Sequence, residues 1–451
     1  MNYIIKNATL VNEGTTTLAS VVINGDRISE IIAGRDARPC VSTSNVIDAE
    51  GLYLIPGIID EHVHFREPGL TQKADIFTES RAAVAGGVTS FMDMPNTNPQ
   101  TTTQELLQQK FDLAAQKSAA NYSFYLGATN DNIDEIVKTD PKKVCGIKLF
   151  MGSSTGNMLV NEDSTLVRLF NESPCLIAAH CEDEQIIHAN TVCCKDLASK
   201  GEVIADASIH PFVRTTEACY KSTTKAVDMA ARFGARLHVM HISTKSELTL
   251  FRNDIPLKDK KITAETCPHY LTFCDKDYDE KGYAIKCNPA IKMASDRAIL
   301  RMAINDGHID TIGTDHAPHL WHEKFTDDYF TAKSGFPSIQ NSLDLMLNLY
   351  HQGVISLEQI VKLMCHNPAE LYQIKDRGFI REGYFADLVL VDLNHEKVIS
   401  NGDMLYKCGW TPYDGMKVKS QVTHTFVNGK LVYHDGIVED NIFGKPLEFD
   451  R

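Results

Sequence analysis

Two histidines one residue apart are the clearest chemical signal in this sequence. His62 and His64 close an apolar run in the segment PGIIDEHVHFREPG, residues 56–69. Residues two apart on a strand point to the same side, so both imidazoles can bind one metal ion, with Asp60 nearby as a supporting group. A surface strand with two solvated histidines is the alternative, because such a pair alone is a weak signal.

Polar side chains also stand at the ends of the later apolar runs. The residues in these places, besides His62 and His64, are Asn96, Lys148, His180, His241, and Asp315 with His316 and His319. Imidazole and carboxylate groups are ligands that Zn²⁺ and similar divalent ions prefer. Four of these histidines, His62, His64, His180 and His241, together with Asp315 therefore predict a site for two ions.

The spacing of the apolar runs indicates the fold that positions these groups. Eight runs, from YLIPGIIDEHVH to DTIGTDH, alternate with segments of helical periodicity, and short β-like runs with turn pairs such as Asn428-Gly429 occupy both ends of the chain. We predict an α/β fold, with a (β/α)8 TIM barrel over residues 56–379 and a small β-sandwich domain formed by residues 1–55 plus 380–451. The carboxyl ends of barrel strands meet at one face, which gathers the polar residues.

Lys148 is the unexpected member of this set. It ends the fourth run, in GIKLFMGSSTG, where no Asp or Glu is available. Two cations a few ångströms apart need an anion between them, and a lysine amine that has taken up CO₂ becomes a carbamate with two oxygens. A carbamylated bridge at Lys148 is therefore a hypothesis from position, and a surface or ion-paired lysine is the alternative.

The composition argues against several other functions. A formal net charge of −14 over 451 residues, with no run of Lys or Arg, argues against nucleic-acid binding through a basic surface. No apolar stretch approaches the ~20 residues that span a bilayer, and the N-terminus lacks a signal-peptide pattern, so we predict a cytoplasmic protein without membrane association. The twelve cysteines include no C-x-x-C pair and are interpreted as reduced thiols. A homodimer is the expected assembly.

Several segments resemble the cyclic-amidohydrolase superfamily and, within it, the dihydroorotases. DEHVHFREPG and MPNTNP look like two signature segments of that family, and IAAHCED, LHVMHIST, AETCPHYL, KCNPAIK and GTDHAPH are similar to its later blocks in the same order. The resemblance covers residues 47–392. It implies a metal-dependent TIM barrel that closes N-carbamoyl-L-aspartate to L-dihydroorotate plus water, reversibly, in de novo pyrimidine biosynthesis.

The resemblance also implies a role for each site residue. The expected ligands of two Zn²⁺ per chain are His62, His64, His180, His241 and Asp315, with carbamylated Lys148 as the bridge. Arg66, Asn96 and His319 are expected to hold the substrate carboxylate, and Asn288 to contact the pyrimidine ring. Asp315 is also the expected catalytic group, which accepts a proton from the attacking water and returns it to the leaving nitrogen.

Arg66 distinguishes dihydroorotase from the alternatives. Allantoinases resemble the first motif but have a neutral residue at this position, and hydantoinases lack the REPG continuation. Dihydroorotate carries a carboxylate that allantoin and hydantoin lack, and a guanidinium matches a carboxylate with two parallel hydrogen bonds. An allantoinase or dihydropyrimidinase remains the first alternative, and a non-catalytic partner of another pyrimidine enzyme the second.

The segment 319–335, HLWHEKFTDDYFTAKSG, follows the eighth run. Its length suggests a lid over the site, and its aromatic residues suggest equally a loop tied to the surface. Lys324 and Lys333 are expected either to steer an anionic substrate or to be solvated.

Overall fold

The computed structural model describes residues 2–34, 45–152, 158–439 and 444–451. The described N-terminal part contributes five strands, which are β1 Asn2–Asn12, β2 Thr15–Asn24, β3 Arg27–Ala33, β4 Asn45–Asp48 and β5 Tyr53–Pro56. Strands β1, β2 and β3 pair antiparallel in succession, and β1 also pairs in parallel with β4 and β5. Gly25, at φ +65°, lies in the tight turn between β2 and β3, where the segment Asn24-Gly25-Asp26 has residues that favour such a turn.

Parallel strands then form the barrel. They are β6 Ile58–Val63, β7 Val88–Asp93, β8 Asn121–Phe124 with its continuation β9 Leu126–Gly127, β10 Ile147–Phe150, β11 Ile177–His180, β12 Leu237–Val239, β13 Ile262–Thr266 and β14 Thr311–Ile312. Neighbours pair in this order. The ring closes where the His64 amide donates to the His316 carbonyl at 2.8 Å, next to a parallel bridge between Val63 and His316. All eight predicted runs therefore supply barrel strands.

Helices connect and cover these strands. They are α1 Ile76–Ala85, α2 Gln104–Ala115, α3 Ile133–Ile136, α4 Asp163–Glu172, α5 Glu184–Ser199, α6 His210–Val213, α7 Thr216–Phe233, α8 Pro268–Thr272, α9 Tyr278–Lys281, α10 Ala294–Asp306, α11 Trp321–Lys324, α12 Ser342–His351, α13 Leu357–Val361 and α14 Asn367–Tyr372. Asp75 caps α1 by accepting from the Thr78 amide at 2.9 Å. Gly234 ends α7 at φ +67°, the left-handed conformation that a glycine allows at low cost.

The described C-terminal part returns to the first sheet. Its strands are β15 Leu388–Asp392, β16 Lys397–Val398, β17 Lys417–Val418, β18 Gln421–Val427, β19 Lys430–His434 and β20 Ile437–Val438. Strand β15 pairs antiparallel with β5, which joins both ends of the chain in one sheet of order β20-β19-β18-β15-β5-β1-β2-β3. This sheet has its own apolar core, which includes Ile5, Val21, Leu54, Leu388 and Phe426. The predicted fold class, a TIM barrel with a β domain built from both termini, is confirmed.

Two C-terminal segments pack on the barrel. Between β16 and β17, Trp410 and Tyr413 are buried in the main barrel core. In the final segment, Leu447 and Phe449 pack in a cluster with Tyr125 of the barrel. The division of the chain at residues 55 and 380 stays a prediction. In the described ranges no helix combines the length and apolar character needed to cross a bilayer.

Candidate active site

The predicted site residues lie together at the carboxyl end of the barrel. His62 lies in β6, Lys148 in β10, and His180 is the last residue of β11. His241 lies two residues after the end of β12, and Asp315 lies three residues after the end of β14. One cavity is lined by all ten predicted residues, which are His62, His64, Arg66, Asn96, Lys148, His180, His241, Asn288, Asp315 and His319. The convergence of the side chains matches the prediction, and their individual roles stay predictions.

The first group of possible ligands is His62, His64 and Asp315. Asp315 Oδ1 lies 3.3 Å from His62 Nε2 and 3.0 Å from His64 Nε2. The other ring nitrogen of each histidine contacts a different residue. His62 Nδ1 lies 2.8 Å from Glu265 Oε1, and His64 Nδ1 lies 2.8 Å from Asn96 Oδ1. Burial lowers the pKa of His62 to about 3 and of His64 to about 4. Both imidazoles are therefore neutral near pH 7, the form that binds a metal ion.

The second group is the pair His180 and His241. His180 Nδ1 lies 2.8 Å from His241 Nε2, so the two ring nitrogens face the same point. His180 Nε2 lies 2.9 Å from Glu182 Oε2, and Arg214 pairs with that carboxylate. A carboxylate on the outer nitrogen orients an imidazole and makes it a better ligand. The two groups of nitrogen and oxygen atoms fit two divalent ions of the zinc type.

Lys148 is buried beside both groups. Its side chain is 1% exposed, which excludes the surface alternative, and Nζ lies 2.9 Å from Met240 Sδ. Among the described residues no carboxylate lies within ion-pair distance of Nζ. Burial lowers the pKa of the amine, which raises the fraction of the uncharged form that can react with CO₂. An amine in this position fits a carbamate bridge better than a structural ion pair.

Three residues of the site have a left-handed backbone. Arg66, His241 and Asp315 have φ values of +65°, +44° and +47°, a conformation that non-glycine residues adopt at a cost. Neighbouring hydrogen bonds hold two of these turns: Asp93 accepts from the Phe65 amide at 2.7 Å, and Glu265 accepts from the His241 amide at 2.9 Å. The surrounding barrel therefore fixes backbone turns that aim these side chains into the cavity.

The other end of the cavity carries positive charge. The Arg66 side chain is buried, and its Nε donates to the Pro318 carbonyl at 3.1 Å while Nη2 lies 3.3 Å from His319 Nε2. In the described part of the chain no carboxylate lies within 4 Å of this guanidinium. Asn288 Oδ1, on the same cavity, has no hydrogen-bond partner among those residues. This end can bind an anion and a neighbouring polar ring.

The segment 319–335 is fixed at several points. Trp410 Nε1 donates to the His319 carbonyl at 2.8 Å, and the Phe325 ring packs against both Trp321 and Trp410. Lys324 is fully buried, and its ammonium donates to backbone carbonyls, among them that of Gly335 at 2.8 Å. The expectation that Lys324 steers substrate or is solvated is wrong, because the segment folds around this lysine.

The sequence reasoning missed three charged residues that support the site. Glu265 holds His62 and His241, Glu182 holds His180, and Lys73 lies 3.1 Å from His319 Nδ1. A signal for Glu265 was present, because a charged residue inside the apolar run KITAET must be buried with a partner. Lys73 had no comparable signal, since its contact with His319 joins residues 246 positions apart.

A buried ion pair beneath the Arg66 turn leads to a stability prediction. Lys110 and Asp93 form an ion pair with both side chains fully buried, and Lys110 also donates to the Met94 carbonyl at 2.7 Å. Lys110→Met leaves Asp93 buried without its cation, so we expect a loss of about 3–5 kcal/mol in the free energy of unfolding. Urea unfolding measures it. Lys138→Met, in an exposed pair with Glu135, is the control, with a change under about 1 kcal/mol. Equal losses in both variants would contradict this account.

Comparisons with known proteins identify the family. Residues 53–432 match the model of the amidohydrolase family. The dihydroorotase of Methanosarcina acetivorans is 33% identical over 98% of this chain and 93% of its own length. The allantoinase of Deinococcus radiodurans is 31% identical over 97% and 96%. The solved L-hydantoinase from Arthrobacter aurescens superposes with a TM-score of 0.91 at 28% identity over 97% of both chains. The chain therefore belongs to the amidohydrolase family, as one of its cyclic amidohydrolases.

Proposed function

We propose that this chain is a dihydroorotase, which interconverts N-carbamoyl-L-aspartate and L-dihydroorotate plus water. The observation that carries the proposal is Arg66, a buried guanidinium that faces the cavity without a carboxylate partner among the described residues. A buried charge without a partner is costly, and a substrate carboxylate relieves that cost. The dihydroorotase relative supports this choice.

Two Zn²⁺ ions are the proposed cofactors. His62, His64 and Asp315 would hold one ion, His180 and His241 the other, and carbamylated Lys148 would bridge them. Such a pair, when bound, supplies a water molecule whose pKa is lowered from ~15.7 towards ~7. Glu265 and Glu182 orient the imidazoles through their outer nitrogens.

The protein groups would divide the remaining work. Arg66 and His319 bind the substrate carboxylate, with Asn96 beside them, and Asn288 contacts the ring. In the hydrolytic direction water adds to the ring amide carbon while the Asp315 carboxylate takes the water proton, and the carbon–nitrogen bond breaks as Asp315 returns the proton to the nitrogen. In the biosynthetic direction Asp315 takes the proton from the carbamoyl nitrogen. The surrounding cavity holds the reacting groups in position.

Allantoinase and hydantoinase activities are the alternatives within the family. An allantoinase relative and a hydantoinase structure match this chain over nearly the same length. Their substrates lack the carboxylate, so Arg66 would be a buried charge without a function in those reactions. A non-catalytic homologue is disfavoured because every expected ligand position holds a suitable side chain. Cytoplasmic location and a homodimer stay predictions.

A substrate panel tests the proposal. Purified protein loaded with zinc should convert dihydroorotate, and should act on allantoin and dihydrouracil far more slowly. Arg66→Met should raise KM for dihydroorotate about 10- to 150-fold, the loss expected for a charge-assisted hydrogen bond of ~1.5–3 kcal/mol. The backbone at position 66 is left-handed, at φ +65°. Methionine should tolerate this conformation as well as arginine does, because neither residue is glycine.

A matched arginine separates this effect from a general defect. Arg301 on α10 also donates through Nε to a backbone carbonyl, that of Leu271 at 2.8 Å, but it lies outside the cavity. Arg301→Met should leave KM unchanged. An unchanged KM in Arg66→Met, or faster turnover of allantoin than of dihydroorotate in the wild type, refutes the assignment.

A further inference from the structure

We propose that Lys73 is a positioning residue that holds His319 in the tautomer whose Nε2–H faces the substrate carboxylate beside Arg66. The inference rests on the proposed function for the identity of the anion. Lys73 does not contact the substrate, and it takes no part in the proposed reaction steps.

Lys73 lies behind His319, on the side away from Arg66. Its Nζ lies 3.1 Å from His319 Nδ1 and 3.0 Å from Glu323 Oε1, and its side chain is mostly buried. Glu323 belongs to α11, and its other oxygen, Oε2, accepts from the Leu320 amide at 3.1 Å. The carboxylate therefore keeps Lys73 charged and ties it to the same segment that carries His319.

The tautomer of His319 follows from the nearest contact of each ring nitrogen. A lysine ammonium has three donors and no acceptor, so the ring nitrogen that faces Lys73 must be the one with the lone pair, Nδ1. The other nitrogen, Nε2, lies 3.1 Å from the Ser334 carbonyl, which can only accept. Burial lowers the pKa of His319 below its usual value, so the ring is neutral and carries one proton. Glu323 Oε2 lies 3.7 Å from Nδ1, farther than Lys73, and Arg66 Nη2 lies 3.3 Å from Nε2, farther than the Ser334 carbonyl. The nearest contact of each nitrogen therefore places that proton on Nε2.

This tautomer determines what the cavity offers to an anion. Arg66 Nη2 lies 3.3 Å from His319 Nε2, but an N–H group cannot accept a hydrogen bond from it. The guanidinium donor and the Nε2–H, which has the Ser334 carbonyl as its neighbour at 3.1 Å, are therefore neighbouring donors. A carboxylate that lies between them can accept from both and share the Nε2–H with that carbonyl. In the opposite tautomer the Nε2 lone pair would bind Arg66 and repel a carboxylate. Lys73 thus controls substrate affinity without contacting the substrate.

The test combines steady-state kinetics with a direct measurement of the tautomer. Lys73→Met removes the donor at similar length, and Lys73→Arg keeps a group that only donates. We expect Lys73→Met to raise KM for dihydroorotate about tenfold or more, the size of one charge-assisted hydrogen bond, with kcat little changed. Lys73→Arg should recover most of the wild-type KM. Lys407→Met, which removes the partner of Asp75 but no contact of His319, should leave KM unchanged.

Nitrogen-15 NMR of histidine-labelled, zinc-loaded protein reports which ring nitrogen carries the proton. The His319 signal is assigned by its absence in His319→Gln. We expect the Nε2–H form in the wild type and in Lys73→Arg, and a mixture of forms in Lys73→Met. An Nδ1–H form in the wild type, or a tautomer and a KM that do not respond to Lys73→Met, overturns the proposal.

The two proposals fail in different ways. A wild-type protein that does not turn over dihydroorotate would refute the proposed function, while the NMR measurement would still decide whether Lys73 sets the tautomer. A protein with full dihydroorotase activity and an Nδ1–H form of His319 would refute the role of Lys73 alone.

Discussion

Asp315→Asn is expected to lower kcat for dihydroorotate by about 100-fold or more, because it removes the group proposed to move the proton. Asparagine keeps an oxygen at the position of Oδ1, which lies 3.0 Å from His64 Nε2 and 3.3 Å from His62 Nε2. Metal content and KM should therefore change much less than kcat, a pattern that marks an interaction made in the transition state.

Asparagine is a better substitution than alanine at position 315 because of the backbone conformation there. Asp315 has φ +47°, and asparagine tolerates the left-handed region better than most residues, whereas alanine would add strain to the chemical change. Asp310 provides the matched control at the opposite end of the eighth barrel strand, where it pairs with Lys260 at 2.7 Å. Asp310→Asn should reduce stability and leave kcat unchanged.

Two outcomes would contradict the assignment of Asp315. A kcat within about twofold of the wild type would show that another group carries the proton, because general acid–base catalysis contributes about 10²–10⁴-fold. Loss of metal that accounts for the whole fall in kcat would show that the carboxylate acts as a metal ligand and does not carry the proton. Metal analysis and substrate binding by calorimetry, run on the same preparation, separate these cases.

The barrel and the position of the site could be predicted because both depend on local sequence patterns. Eight apolar runs define the strands, and polar residues at their ends, such as His180 and Asp315, must meet at one face of a closed parallel barrel. The two-residue spacing of His62 and His64 puts both on one side of a strand. No tertiary information was needed for these steps.

The supporting contacts could not be predicted because they join distant parts of the chain. Glu265 holds His62 across 203 positions, and Lys73 holds His319 across 246. Lys324 is a second contact that local sequence could not predict. A lysine in a polar loop is expected to be solvated, but the segment folds around it and backbone carbonyls accept hydrogen bonds from its ammonium. The periodicity of apolar residues predicts which face of a helix or strand is buried. It does not predict which side chain of another element packs against that face.

The position of Lys148 could be found from sequence, while its chemistry depends on burial. A lysine that ends an apolar run is ordinarily solvated or ion-paired. The structure places this amine at 1% exposure, with no carboxylate among the described residues at ion-pair distance and with two groups of possible metal ligands around it. Burial without a partner favours a change in chemical form, since the uncharged amine is the form that attacks CO₂.

Lys148→Ala is therefore expected to bind fewer than two metal ions per chain and to lose about 1000-fold or more in kcat, since a metal site contributes several kcal/mol to transition-state stabilisation. Wild-type protein stripped of metal and freed of CO₂ should regain two ions and activity only when zinc and bicarbonate are both present. Lys148→Ala should not respond to bicarbonate. A short carboxylic acid such as acetate should restore part of its activity by filling the space of the carbamate.

Lys260→Ala is the matched control for this experiment. Lys260 is also a largely buried lysine, but it pairs with Asp310 at the amino end of the barrel, away from the cavity. Its variant should lose stability and keep both metal ions, so a general effect of removing a buried lysine can be recognised. The carbamate bridge would be excluded if Lys148→Ala kept two ions and wild-type kcat, or if stripped wild-type protein recovered fully without bicarbonate. The second ion would then have to be held by His180 and His241 with another anion.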